Sequence, residues 1–517
     1  MFNTSISILK EEVIHSLAEK KTNEATETMA AYLQSKHFFK PIENDKDEEI
    51  WLYDDGLYHP NGKTLIKTFV RTTVGHLFTT YLVNQVIAKI SAENPIKQVD
   101  FFNQQNSRPE LIPVENGILN IETKKLHDFT PHKFFFSKIN AFYNENATCP
   151  NIIKFIKSIV ANDDDVKTIQ EILGFSLLRD YKFEKGFMFH GEYGRNGKSK
   201  LISIFRHFLG ASNCASISLE DIEKDQFSII NLHNKLVNIS PDLSEHAIKN
   251  TGMYKSLTGR DTVNANRKGQ SHVQFENYAK MIFACNELPL VNNFSTAFSL
   301  RWVMIDFPFK FLPQHELDSM TDKENCFLQD TEILKNLLLE EEMSGLLNWA
   351  IEGLKRVSKR NRFSNETNSN TVRKNWLRKS NSVSAFIEDM IEVDYDKHMT
   401  KQDFRRYYHD YCKHNKIRQM GDKAIKVTLS KELGVIDSNM SFGGTRTYVW
   451  DGIKLKNSPL SLNTNTILKE LKKHSSMKYN ELLKIIENNN VLAKSLNELA
   501  QEGSIIELPK GIWRLKC

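Results

Sequence analysis

Cysteine is scarce in this chain and scattered. Six of the 517 residues are cysteine, at positions 149, 214, 285, 326, 412 and 517, and none stands at the paired spacing of a zinc site or a disulfide framework. Long apolar runs are missing too: none approaches the roughly 18 residues that a membrane helix needs. The first residues, MFNTSISILKEEVIHS, carry acids where a secretory signal would be basic and then apolar. A cytoplasmic protein with no membrane partner is the expectation. Charge of one sign is also lacking. With 26% charged residues and a net charge of only +5, nucleic-acid binding cannot follow from overall charge and must reside in local clusters. What is present is length and 40% hydrophobic content, too much for one ordinary domain, so three or four units are expected.

Residues 1–110 read as an α+β N-terminal domain of undeclared chemistry. Ile14, Leu17, Met29 and Leu33 recur at helical spacing, and WLYDDGLYHP holds an Asp-Gly of the kind that turns a hairpin. Residues 111–150 form a separate strand segment: two short strands around a polar turn in LIPVENGILNIETKKLHDF, then an extended stretch ending at Pro150. From Asn151 to Leu178 apolar residues return at helical spacing, broken at Asn162-Asp163-Asp164-Asp165, which predicts two helices.

The segment KGFMFHGEYGRNGKSKLISIFRHFL follows, ordered as apolar strand, glycine-rich turn and helix. Glycines permit a sharp turn and close approach, so that backbone N–H groups and a helix amino terminus can converge on phosphates. Gly191, Gly194, Asn196, Gly197, Lys198 and Ser199 are the candidate nucleotide-binding residues. Lys198 would meet the β- and γ-phosphates, and the Ser199 hydroxyl would join a magnesium shell. The usual spacing puts glycine at position 192, which is Glu192. The loop is therefore expected to be one residue longer, with Glu192 or Tyr193 bulging and Gly194 supplying the close approach.

A second buried strand should end in a carboxylate that holds magnesium and polarises water. In LHNKLVNISPDLSEH this is Asp242, with Glu245 in reserve. A third strand, Met281–Cys285, ends in Asn286, suited to sense the γ-phosphate. Arg301, immediately before an apolar strand, is suited to reach the nucleotide of a neighbouring subunit. Lys198, Asp242, Asn286 and Arg301 make up the candidate catalytic set, with Ser199 and Asp242 as Mg²⁺ ligands.

The order GEYGRNGKS, NISPDL, YKSLTGRDTVNANRKGQ, MIFACNELP and an arginine before a strand resembles the superfamily 3 helicases, in particular the helicase half of poxvirus, phage and plasmid primase-helicases. The resemblance covers roughly residues 110–360. It implies an AAA+-like P-loop ATPase core over 151–360, ATP and Mg²⁺ as cofactors, a homo-hexameric ring, and 3′ to 5′ translocation on single-stranded DNA. It also implies that Lys255, Thr258, Gly259 and Asp261 precede a channel hairpin whose Arg267 and Lys268 touch the strand being pulled. No Asp-x-Asp strand followed by histidine occurs in the first 110 residues. A helicase without its own primase is expected, working on forked DNA beside a separate primase or polymerase.

Residues 361–385 continue a basic stretch and read as a linker: from Lys355 to Lys379 there are nine Lys or Arg against Glu366. Beyond it, residues 386–456 and 461–517 each show helices and a turned hairpin, predicting two winged-helix modules. In the second, Lys494, Ser495, Asn497 and Lys510 are candidate DNA contacts. The fold class expected is thus α/β, with the ATPase core flanked by the α+β domain and the winged helices. Two other functions fit the same residues, a nucleotide-switched DNA-binding regulator and a helicase-loader-like assembly protein.

Overall fold

The computed structural model describes residues 2–43, 49–103, 107–243, 248–266, 273–291, 294–320, 323–415, 417–442 and 445–456, and beyond these 467, 470, 471, 474, 476–486, 492, 496, 499, 505–508 and 512–515. The chain is mixed α/β and divides into two compact units, Met1–Val372 and Arg373–Cys517.

In the first unit, helices Phe2–Ala18, Thr22–Lys36, Gly62–Val74 and Thr80–Ser91 enclose Leu9, Val13, Met29, Leu33, Val70 and Val86. The stripe on the first helix runs through Leu9, Val13 and Leu17, a spacing of four. Ile14, expected in this core, lies off that stripe and is exposed. Strand Glu49–Asp54 pairs antiparallel with Leu57–His59. The turn between them is the expected Asp-Gly, with Asp55 at φ +45° and Gly56 at φ +83°. Strands Leu111–Val114 and Gly117–Asn120 form the second predicted hairpin, to which Lys125–His127 adds an unforeseen third strand. The following segment is anchored through Ile139 N–H to the Pro113 carbonyl (2.9 Å) and Asn140 N–H to the Phe208 carbonyl (2.9 Å).

Pro150 opens helix Pro150–Ile159, where the lost N–H costs nothing. Helix Asp163–Ser176 follows, capped by Asn162, whose side chain accepts from the Asp165 N–H at 2.9 Å. Helix Glu340–Arg360 lies against it at two glycines: a Cβ on Gly174 would sit 2.2 Å from the Ala350 carbonyl oxygen, and one on Gly353 2.5 Å from that of Gln170. Between them Glu171, fully buried, accepts from Arg356 Nε at 2.6 Å.

The centre of this unit is a five-stranded parallel sheet of β1 (Gly186–His190), β2 (Cys214–Ala215), β3 (Val237–Ser240), β4 (Lys280–Cys285) and β5 (Trp302–Asp306), in the order β5-β1-β4-β3-β2. Every residue of β1, β3 and β4 is buried, as continuous apolar strands in a covered parallel sheet must be. Strands Thr262–Ala265 and Val273–Glu276 pair antiparallel, so the predicted hairpin has its two arms. Its tip, with Arg267 and Lys268, lies outside the described residues.

Residues 361–385, expected as a linker, are largely folded: Ser369–Ser380 is a helix and Ser382–Met390 begins another. Val372 and Trp376, four apart and both buried, supply the apolar face that the count of basic residues obscured. In the second unit, helices Ser382–Met390, Lys401–Asn415 and Asp422–Leu433 pack with a three-stranded antiparallel sheet around Phe386, Phe404, Tyr408, Leu429, Trp450 and Ile453. Its order is Ile391–Thr400, Thr445–Leu455, Asp437–Phe442, and the first of these strands was not anticipated. Thr400 caps the second helix as expected, its Oγ1 accepting from the Asp403 N–H at 3.0 Å. Near the carboxyl terminus, Ile505–Leu508 and Ile512–Leu515 form the predicted hairpin arms, with Ser476–Lys478 pairing beside them. Lys494, Ser495, Asn497 and Lys510 lie outside the described residues. Among the described residues no helix is long and apolar enough to cross a membrane.

Candidate nucleotide site

The glycine-rich loop leaves β1 and enters helix α1 (Lys198–Leu209). Its neighbour β4 lies between β1 and β3. The chain runs from β1 to the far edge strand β2, but from β4 to the opposite edge strand β5. Connections therefore diverge between β1 and β4, and the carboxyl end of that gap is where open α/β sheets take ligands.

Lys198 fills this point. Its ammonium donates to the Gly191 carbonyl (3.0 Å), the Cys285 carbonyl (2.8 Å) and Asn286 Oδ1 (2.8 Å). An ammonium has three donors, and all are directed at the junction of β1 and β4. Burial brings its pKa down to about 8, opposed first by Cys285 and then by Asp242. The sequence-predicted Asn286 is thus brought into direct contact with Lys198, and Asp242, just beyond β3, into its electrostatic range. Ser199, at the second position of α1, is exposed at the helix amino terminus. Glu245 lies outside the described residues.

The glycines divide by role. Gly197 stands at φ +88° with its α-carbon against Ile159: an added Cβ would lie 2.5 Å from Ile159 Cγ2. A Cβ on Gly191 would lie 2.1 Å from Asn196 Nδ2 and 3.0 Å from Lys198 Nζ. Around Gly194 an added Cβ meets nothing within 4 Å, so no packing within the chain requires glycine there. Asn196 is buried and spans the loop, donating through Nδ2 to the Tyr193 carbonyl at 2.6 Å. Glu192, Tyr193, Gly194 and Arg195, in the same loop, are exposed.

Arg301 is not brought to this site. It precedes β5, and Trp302 pairs with Gly186 while Asp306 pairs with His190. The five residues of β5, ~16 Å at 3.3 Å per residue, separate it from the level of the loop. Its Nη1 donates to the Ala297 carbonyl at 2.8 Å, and its Nε is buried without a partner among the described residues.

Three features here carried no sequence signal. His190, the last residue of β1, lies 2.9 Å through Nδ1 from Asp306 Oδ1, the last of β5. Arg195 holds Glu316 through Nη1 at 2.8 and 2.7 Å, and its carbonyl accepts the Phe311 N–H at 2.8 Å. Lys280, fully buried at the start of β4, donates to the Tyr278 carbonyl at 2.9 Å and stands over the Phe175 ring, with its pKa pushed well below the ordinary lysine value by burial. Each joins residues far apart in the chain.

The residues present suit a nucleoside triphosphate with magnesium: a buried cation at the strand junction, a helix amino terminus behind it, a hydroxyl and a carboxylate at its edge, and two glycines whose missing Cβ atoms the fold requires.

Two families match parts of this chain: one described as D5 N terminal like over residues 10–161, and a family of unknown function (DUF5906) over residues 189–297, which contains the loop, Asp242 and Asn286. "Putative helicase L207/L206" of Acanthamoeba polyphaga mimivirus is 26% identical over 260 residues, 46% of this chain and 26% of that protein. "Putative primase C962R" of African swine fever virus (isolate Tick/Malawi/Lil 20-1/1983) is 23% identical over 237 residues, 43% of this chain and 24% of that protein. The chain thus spans about a quarter of the length of these curated relatives. Among solved structures, the apo A form of the NrS-1 C terminal region is 14% identical with a TM-score of 0.40, over 82% of this chain and 98% of that one, a likeness too slight to support fold or function. Over parts of its length the chain is thus similar to a D5-type amino-terminal family and to viral proteins named as a putative helicase and a putative primase.

Proposed function

We propose that this chain is the ATP-driven motor of a viral replication helicase, of the superfamily 3 type, assembling as a ring that pulls on single-stranded DNA 3′ to 5′ at a fork. The observation that carries this is the Lys198 ammonium, set at the divergence of β1 and β4 by Gly191, Cys285 and Asn286. In this reading Lys198 exchanges carbonyl partners for β- and γ-phosphate oxygens, and the charge it gains as a neighbour offsets the burial that depresses its pKa. Ser199 and Asp242 hold Mg²⁺, which supplies charge neutralisation for phosphoryl transfer. Asn286 links the γ-phosphate position to Lys198. Arg301, too far from its own chain's loop, completes the site of the adjacent subunit, which makes hydrolysis depend on the ring. The arms Thr262–Ala265 and Val273–Glu276 carry Arg267 and Lys268 toward the DNA. The helices and hairpins of the second unit act as winged helices that grip duplex, and a separate primase or polymerase works alongside.

The test is hydrolysis and strand displacement by purified protein. Lys198→Ala is expected to abolish ATP hydrolysis with the circular dichroism spectrum unchanged. Lys268→Ala is expected to abolish unwinding of a forked substrate and to spare basal hydrolysis. A full ATPase rate in Lys198→Ala sinks the nucleotide site. Wild-type protein that hydrolyses ATP but never displaces a strand, at any salt concentration or loading polarity, sinks the motor and favours a nucleotide-switched regulator.

A further inference from the structure

An aromatic shelf is fastened to the phosphate loop. After β5 the chain forms strand Lys310–Leu312, which pairs parallel with Cys326–Leu328. This small sheet is tied to the loop twice: the Phe311 N–H donates to the Arg195 carbonyl at 2.8 Å, and Arg195 Nη1 bonds both carboxylate oxygens of Glu316. Arg195 is three residues before Lys198, at most about 11 Å of extended chain. On the sheet, Phe327 meets Phe309 with ring centroids 5.3 Å apart and planes perpendicular, and meets Phe311 at 5.9 Å. Phe309 and Phe311 are half-buried, whereas Phe327 is 46% exposed. Tyr193, on the loop, is 53% exposed. Its hydroxyl is raised above the ordinary tyrosine value first by Glu192, then by partial burial and by Cys326.

Phe327 is thus braced edge-on by Phe309 and at a tilt of 34° by Phe311, and keeps an exposed face next to elements tied to the loop. Charge alone cannot explain the shelf, and the catalytic set does not use it. A nucleotide whose phosphates rest on the loop must put its base beyond the ribose, and every nucleobase has a face that stacks on an aromatic ring. We infer that Phe327, backed by Phe309 and Phe311, is the stacking surface for the base of the nucleotide held by the loop, with Tyr193 at the rim. This assignment rests on the phosphate-loop reading above and deepens it. It also gives the clasp between Arg195 and Glu316 a purpose, since it holds the base-binding and phosphate-binding parts of the site in fixed relation.

The experiment compares affinities of the full chain for ATP, ADP and inorganic tripolyphosphate, each with Mg²⁺, by isothermal calorimetry. Base–aromatic stacking predicts that Phe327→Ala weakens ATP and ADP binding roughly five- to hundredfold and leaves tripolyphosphate binding unchanged, while Phe327→Trp restores ATP affinity. Equal weakening of tripolyphosphate overturns the assignment. So does unchanged ATP affinity in Phe327→Ala, or a fall in oligomeric mass by light scattering as its only effect, which would make the shelf a contact between copies of this chain. If wild-type protein binds neither tripolyphosphate nor ATP, the phosphate loop itself is misread and the base subsite falls with it.

Discussion

The three glycines of the loop should respond to alanine in three different ways. Gly197→Ala forces a side chain into left-handed backbone at φ +88° and drives a Cβ to 2.5 Å from Ile159 Cγ2. The conformational term is about 1–2 kcal/mol and the overlap adds about 1–3 kcal/mol, so a loss of about 2–5 kcal/mol in stability is expected. Gly191→Ala meets no conformational bar, because its φ is not positive. Its Cβ instead displaces the Asn196 amide from 2.1 Å and crowds Lys198 Nζ at 3.0 Å. One or two hydrogen bonds are lost, about 1 kcal/mol of stability each, but the ammonium moves, and nucleotide affinity should fall at least about tenfold, since 1.4 kcal/mol is enough for that. Gly194→Ala meets nothing within 4 Å and narrows the unfolded ensemble, so stability should change by less than about 1 kcal/mol, on the favourable side. Urea unfolding followed by circular dichroism measures the first effect, and titration with a non-hydrolysable ATP analogue the second. A Gly194→Ala variant as damaged as Gly197→Ala, or a Gly197→Ala variant with an unchanged midpoint, would refute the reasoning.

Nucleotide affinity should depend on pH through Lys198. Its folded pKa of about 8 lies below the unfolded value of 10.5, so the unfolded chain binds more protons between the two, and this residue makes stability rise as pH climbs through that window. The phosphates need the charged form, so the dissociation constant should rise about tenfold per pH unit above about 8; Lys198→Arg should flatten that slope, and a flat wild-type profile to pH 9.5 would count against the buried cation. Arg301→Ala is expected to abolish hydrolysis when every subunit carries it and to reduce activity steeply when mixed with wild type; a linear fall with dose would mean that each subunit hydrolyses alone. Arg356→Ala leaves Glu171 buried opposite only Ser364, which should cost about 3–5 kcal/mol. A shift of that variant's urea midpoint worth less than about 1 kcal/mol would show that the pair adds little.

Whatever depends on a short window of chain was legible in advance. The strand, glycine loop and helix, the Asp-Gly hairpin at Asp55-Gly56 and the break between two helices each depend on residues within about ten positions, because turn chemistry and periodicity are local. The basic stretch misled for the same reason: counting nine Lys or Arg between 355 and 379 hid two buried residues, Val372 and Trp376, that are enough to hold a helix. Ile14 misled because an apolar residue off the helical stripe carries the same letter as one on it.

Tertiary structure alone decided strand order, and with it which residues meet. Asn286 touches Lys198 because β4 inserts between β1 and β3, not because of any spacing in sequence. Arg301 is turned away from its own loop because β5 runs parallel to β1, so a residue that precedes the strand must lie at the far end. His190 and Asp306 pair across 116 residues, and Arg195 and Glu316 across 121. Local chemistry thus determined that a strand, a glycine-rich loop and a helix follow one another here, since their backbone conformation is written in adjacent residues. Sheet topology determined what surrounds them, because hydrogen-bonded neighbours in a parallel sheet are chosen by long crossovers that no local pattern encodes.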